Sequence, residues 1–207
     1  MHKIMIVLLF ALAAYAGDTI TIKHKSYTTT FDTVKHYPVL VQWTVTKSSL
    51  QCSKRLERKD VFTPDPKLIK HTKLMFDYVG SGYDKGHNMS AYDNGCDSAS
   101  LYECFFFSNM TPQTPRLNRG DWKELEEYTR KLALANDNVK VWCGSFGEAK
   151  KIGSLSIPTY CWKVLYTKKN KKYEAFLFKN DQSSPTTLDF HRVTCDSVYK
   201  LTGFKIK

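Results

Sequence analysis

The sequence predicts an α+β fold built around a central, mainly antiparallel sheet. Short runs rich in β-branched and aromatic residues recur from residue 39 to residue 193, and long helices are few. Two such runs, Tyr160-Cys161-Trp162-Lys163-Val164-Leu165-Tyr166 and Tyr173-Glu174-Ala175-Phe176-Leu177-Phe178, flank a polar basic turn. That arrangement is a hairpin, which requires antiparallel pairing. At 207 residues, 42% hydrophobic and 14% aromatic, the chain can bury a proper core, most simply in one domain.

The first 16 residues read as a targeting segment. Lys3 supplies a positive charge, residues 4–12 form an apolar run too short to span a bilayer, and Ala14-Tyr15-Ala16 offers the small residues of a cleavage site. The expectation is a signal peptide over 1–16, cut near Ala16, and a single domain over 17–207 that is secreted or periplasmic. No later stretch is apolar enough for a membrane helix.

Residues 20–33 are Thr-rich and polar, an exposed stretch with one edge strand. Val39-Leu40-Val41-Gln42-Trp43-Thr44-Val45 reads as a buried strand. A charged loop follows over 52–60, and Pro64 and Pro66 forbid regular structure just beyond it. Tyr83-Asp84-Lys85-Gly86-His87 then places a histidine on a glycine-loosened turn before a polar loop over 88–100. Cys104-Phe105-Phe106-Phe107 reads as a short buried strand, and Pro112 and Pro115 bar a helix until about Leu117.

In that helix Trp122, Leu125, Thr129 and Leu132 recur at spacings of three and four and mark the buried face. Asn118, Trp122 and Glu126 are successive i, i+4 neighbours, so amide and carboxylate share one side of the helix. Val139-Lys140-Val141-Trp142-Cys143 alternates as a strand ending at Gly144. After the hairpin, residues 190–193 form a last strand, and a helix over about 196–201 is ended by Gly203.

Six cysteines, all after the targeting segment, are an even number in a chain expected to be exported. Two or three disulfides follow, with Cys96 and Cys104 as the local pair across one short loop. No C-x-x-C or tight Cys/His pair supports a structural zinc site. Asn88-Met89-Ser90 and Asn109-Met110-Thr111 match the glycosylation sequon.

The formal net charge of +11, from 31 Lys and Arg against 20 Asp and Glu, favours polyanionic partners. The residues of the central stretch suit metal-assisted phosphodiester hydrolysis. An imidazole serves as base, while an amide oxygen and a carboxylate serve a hard cation that keeps several waters.

Three runs in order, Asp84-Lys85-Gly86-His87, Ser108-Asn109-Met110-Thr111-Pro112-Gln113 and Leu117-Asn118-Arg119-Gly120-Asp121-Trp122 with Leu125-Glu126, resemble the non-specific DNA/RNA endonucleases of the Serratia nuclease and endonuclease G type. Weaker echoes around Arg58-Lys59-Asp60, Ile157-Pro158 to Trp162-Lys163, and Phe190-His191-Arg192-Val193-Thr194 extend the resemblance over most of the chain. It implies a His-Me-finger (ββα-metal) catalytic motif, with His87 as general base and Asn118 as direct ligand of one magnesium ion. Manganese would be a substitute. Glu126 would act on that ion through water, and Asn109 would support the site's geometry. Arg58 would neutralise charge on the scissile phosphate, with Lys85, Arg119 and Arg130 as nucleic-acid contacts.

Two departures stand out: Lys85 replaces the family's arginine, and Asn88-Met89-Ser90 replaces its apolar-Ala-Pro. The implied activity is sugar- and sequence-non-specific hydrolysis of DNA, and RNA with it, to 5′-phosphorylated oligonucleotides. A homodimer is compatible with the family. The competing readings are a catalytically silent secreted nucleic-acid-binding protein and a basic, disulfide-rich adhesin or toxin.

Overall fold

The computed structural model describes residues 18–182 and 187–206; the expected signal peptide and its cleavage site lie outside them. In chain order the strands and helices are β1 Thr19–Lys23, β2 Tyr27–Asp32, β3 Tyr37–Thr46, α1 Lys47–Leu50, α2 Met75–Tyr78, β4 Asp84–His87, α3 Ser98–Glu103, β5 Met110–Gln113, α4 Pro115–Arg119, α5 Asp121–Asn136, β6 Asn138–Phe146, β7 Lys150–Ile152, β8 Leu155–Ile157, β9 Tyr160–Thr167, β10 Lys172–Lys179, β11 Arg192–Val193 and α6 Cys195–Thr202. Among the described residues the main sheet is seven-stranded, in the order β1-β2-β3-β6-β9-β10-β11, and its pairings are antiparallel. The α+β class with a central antiparallel sheet is therefore observed.

Side-chain alternation gives the sheet two covered faces. Along β9, Cys161 and Leu165 join a core with Val41, Trp43, Val141, Phe176 and Phe178, roofed by Trp122, Leu125 and Ala133 of α5 and by Met89 and Phe105. Trp162 and Val164 face the other way and pack with Trp142, Ala175 and Val198 of α6. Burying side chains of this size is worth roughly 1.5–3 kcal/mol each. The best-buried part of the molecule thus lies directly under α5.

On that roofed face, β4 and β5 form a separate two-stranded antiparallel hairpin pairing His87 with Met110 and Asp84 with Gln113. α4 and α5 follow at once, so the sequence ββα is local in space as well as in the chain. Pro115 stands in the first turn of α4, capped by Thr114, where a missing N–H costs nothing. It opens the helix rather than delaying it to Leu117.

The helix is also not continuous. Gly120 separates α4 from α5, and a Cβ there would lie 2.6 Å from the Arg116 carbonyl oxygen. The i, i+4 series from Asn118 to Glu126 therefore spans a break.

Other expectations are corrected. The polar stretch over 20–33 holds a full hairpin, β1 with β2, because its β-branched threonines and isoleucines and its aromatic Tyr27 and Phe31 suit strands. Residues 104–107 are buried but are not a strand. They leave α3, touch Thr63 through one parallel bridge at Phe106 and enter a 3-10 turn over Phe107–Asn109. β6 runs through Gly144 to Phe146, and the last strand is only Arg192–Val193 after a 3-10 turn.

Cys96 pairs with Cys52, not with Cys104, which is buried with a free thiol; Cys143, Cys161 and Cys195 are free as well. Asn88 and Asn109 of the two sequons are buried, so neither can carry a glycan in this fold.

Candidate active site

The ββα unit and the loop before it enclose a cleft of about 580 Å³. His87, Arg58, Lys85, Asn118, Arg119, Glu126 and Arg130 all line it, although they come from four separate segments. Asn109 does not. It is fully buried beneath the loop after His87, where its Nδ2 donates to the carbonyls of Met89 and Cys104 at 3.0 and 2.8 Å. Its Oδ1 accepts from the Met89 N–H at 2.9 Å. These bonds brace the loop after His87 from beneath, away from the cleft.

His87 ends β4 with 8% of its surface exposed. Phe105 meets its ring edge-on at 4.9 Å between centroids and Phe62 lies at 5.7 Å. Its backbone carbonyl accepts from Trp122 Nε1 at 2.9 Å, which ties the end of the strand to α5. Nε2 is buried with no hydrogen-bond partner among the described residues. Desolvation, helped by the Arg58 charge, lowers the imidazole from 6.5 to about 3, so the ring is neutral at physiological pH and available as a proton acceptor.

Asn118 sits in the last turn of α4 and donates from Nδ2 to Asp84 Oδ2 at 3.0 Å. The Asp84 carboxylate also takes a two-pronged bond from Arg119, Nε and Nη2 both at 2.7 Å. Against its partial burial, these donors hold Asp84 below the usual carboxylate range. The amide is thereby pinned by its nitrogen, leaving its oxygen as the group able to meet a cation.

Glu126 lies on α5, where burial raises its carboxyl above the usual range and Lys163 partly opposes that. Ser90 Oγ donates to Glu126 Oε2 at 3.0 Å. The departure from the family's proline thus supplies a hydrogen bond to the acid.

Among the described residues no three His, Cys, Asp or Glu side chains cluster as metal ligands. An amide oxygen and an under-compensated carboxylate facing one cleft nonetheless suit a hard, well-hydrated cation such as Mg²⁺. The donor chemistry fits the ion that the resemblance implies.

Lys85 Nζ lies 4.9 Å from the Phe62 ring centroid and 5.6 Å from that of Tyr78. Arg58 Nε bonds Asp60 Oδ1 at 2.5 Å. Arg130 Nη1 lies 3.6 Å from Asp93 Oδ1 and 3.5 Å from Ser90 Oγ.

Sequence reasoning missed Asp84, Ser90 and Lys163. Asp84 and Ser90 stood inside quoted runs without a role, and only contacts assign them one. Lys163 shares the roofed face of β9 and is buried with its Nζ 4.1 Å from the Trp122 ring centroid. A lysine in an apolar strand was the available signal.

A sequence model of the DNA/RNA non-specific endonuclease family matches residues 12–207. The nuclease of Serratia marcescens is 31% identical over 211 residues, covering 92% of this chain and 76% of that protein. A nuclease from Nostoc is 28% identical over 204 residues, covering 90% and 73%. Human mitochondrial endonuclease G is 33% identical over 109 residues, of whose length the chain covers 37%.

The solved EndoG/EndoGI complex contains a chain of the same fold, with a TM-score of 0.79 at 24% identity, covering 90% of this chain and 84% of that one. With the match running through β4, β5, α4 and α5, the chain belongs to the DNA/RNA non-specific endonuclease family of phosphodiester hydrolases.

Proposed function

We propose that the protein is an exported, magnesium-dependent endonuclease, secreted or periplasmic. It cuts DNA, and RNA with it, without preference for sugar or sequence and leaves 5′-phosphorylated oligonucleotides. The observation that carries the reading is the convergence of His87, Asn118, Glu126 and Arg58 on one cleft. Of these, His87 is a neutral imidazole whose Nε2 has no partner among the described residues.

In this reading His87 accepts a proton from a water that attacks phosphorus in line with the departing 3′ oxygen. The new P–O bond forms as the P–O3′ bond breaks, and the 3′ oxygen takes its proton from solvent. General-base help of this kind is worth roughly 10²–10⁴-fold. Asn118 and Glu126 would hold the cation, the amide directly and the acid through water. Mg²⁺ when bound supplies positive charge to the phosphate and to the leaving oxygen.

Trp122 and Asn109 keep the His87 loop still, and Asp84 keeps the Asn118 amide oriented. Arg58 offsets negative charge that develops on phosphorus. Contacts to backbone phosphates rather than base edges account for the lack of sequence preference.

The direct test incubates supercoiled plasmid and a structured RNA with the protein, with and without EDTA and with magnesium restored. Relaxation and degradation that stop with chelator and return with Mg²⁺, leaving 5′-phosphate ends, support the reading. Cutting indifferent to EDTA, or salt-sensitive binding with no cutting in Mg²⁺, contradicts it.

A further inference from the structure

The geometry points to Tyr92 as a positioning residue that holds Arg58 and Arg130 together over the scissile phosphate; this rests on the nuclease reading above. Tyr92 lies in the 3-10 turn Ala91–Asp93 and leaves 53% of its surface exposed at the wall of the cleft.

Two arginines from distant parts of the chain meet its ring. The Arg58 guanidinium carbon is 5.8 Å from the ring centroid and that of Arg130 is 5.4 Å. Both distances fall within the range of cation–π attraction. Arg58 also lies 5.6 Å from the Phe105 ring, so its guanidinium rests between two aromatic rings. Phe105 in turn meets His87. Successive contacts thus link His87, Phe105, Arg58, Tyr92 and Arg130, with Phe105 buried behind the cleft wall and the other four lining it.

The need for such a post follows from where the arginines come from. Arg130 stands on α5, a rigid element, but Arg58 stands on an irregular loop between α1 and α2. A long side chain on such a loop has many rotamers to lose before it meets a phosphate. Two guanidinium groups also repel, and the electron-rich faces of the rings offset that.

The loop itself is fastened to the Tyr92 turn. Arg55 Nη2 donates to the Tyr92 carbonyl at 2.6 Å, the Leu56 N–H donates to the Gly95 carbonyl at 2.7 Å, and the Cys52–Cys96 disulfide joins the two segments covalently. These tethers bring the Arg58 loop to the ring; Asp60 holds Arg58 Nε, and the Tyr92 and Phe105 rings flank the guanidinium beyond it. On the other side, Asp93 accepts from Trp43 Nε1 at 3.1 Å and pairs with Arg130, so the turn cannot drift.

The test uses Tyr92→Phe, Tyr92→Leu and Tyr92→Ala in the full chain, each alone and with Arg58→Ala. Kinetics are measured on plasmid DNA and on bis(p-nitrophenyl) phosphate, which has no bases. Tyr92→Phe keeps wild-type kcat. Tyr92→Ala and Tyr92→Leu lower kcat about tenfold on both substrates while the unfolding midpoint stays close to wild type. In the Arg58→Ala background the Tyr92→Ala change costs little more, because the post has less to hold.

Wild-type kcat in Tyr92→Ala overturns the proposal, as does loss that is fully additive with Arg58→Ala. Loss on DNA alone also overturns it and makes the ring a base-stacking surface instead. A wild-type chain that cuts neither substrate sinks the nuclease reading, and the proposal with it. A cutting wild type with an indifferent Tyr92 sinks the proposal alone.

Discussion

His87 carries a cost in folding that depends on pH. An imidazole walled by Phe62 and Phe105 and lowered by burial to about 3 stays neutral in the fold. In the unfolded chain it protonates near 6.5. Above 6.5 both states are neutral and the residue imposes no pH dependence. As pH falls from 6.5 toward 3 the unfolded state takes up a proton that the folded state refuses, so stability declines through that window.

His87→Asn removes this contribution. Urea midpoints measured at intervals from pH 7 to pH 4 are expected to fall less steeply for the variant than for wild type. Parallel curves would mean that the ring is not held neutral. That His87, Asn118 and Glu126 share one cleft was legible in the sequence because imidazole, amide and acid lie within 40 residues. The contacts that hold them were not, since Asp84 meets Asn118 and Ser90 meets Glu126 only when distant segments come together.

At the scale of elements, the strands at β3, β9, β10 and the helix at α6 were readable because alternation and a closing glycine are local signals. The break between α4 and α5 was not, since helical spacing carries across Gly120 unchanged and only the crowding against Arg116 reveals it. The apolar run at 104–107 was misread because a buried turn and a buried strand share one composition. The disulfide was misassigned because short loop length favours Cys96 with Cys104, whereas the fold brings Cys52 to Cys96 across a separation of 44 residues.

The sheet that seats α5 depends on one close approach. At Gly144 in β6 an added Cβ would lie 2.0 Å from the Val39 carbonyl oxygen, a backbone atom that cannot swing aside. Gly144→Ala is expected to destabilise the protein by about 3 kcal/mol or more, read as a large drop in the thermal midpoint. An unchanged midpoint would show that β3 and β6 are not packed as described.

For the molecule as a whole, charge and fold act together. The net charge of +11 makes the surface attractive to nucleic acid, and Arg58, Lys85, Lys123 and Arg130 gather around the cleft. If about four of these meet phosphates, log K for DNA should fall with log salt at a slope of about −4. A flat salt dependence would separate the basic surface from the cleft. Charge alone was visible in the sequence and pointed only to polyanions; the ββα unit gathers part of that charge around one cleft, whose proposed centre is His87.

That centre is tested most directly by His87→Ala, assayed for plasmid cutting in Mg²⁺, for DNA binding and for its thermal midpoint. The expected result is a folded chain that binds DNA with wild-type salt dependence and no longer cuts. Magnesium-dependent cutting at wild-type rate by this variant would contradict the assignment of His87 as the base.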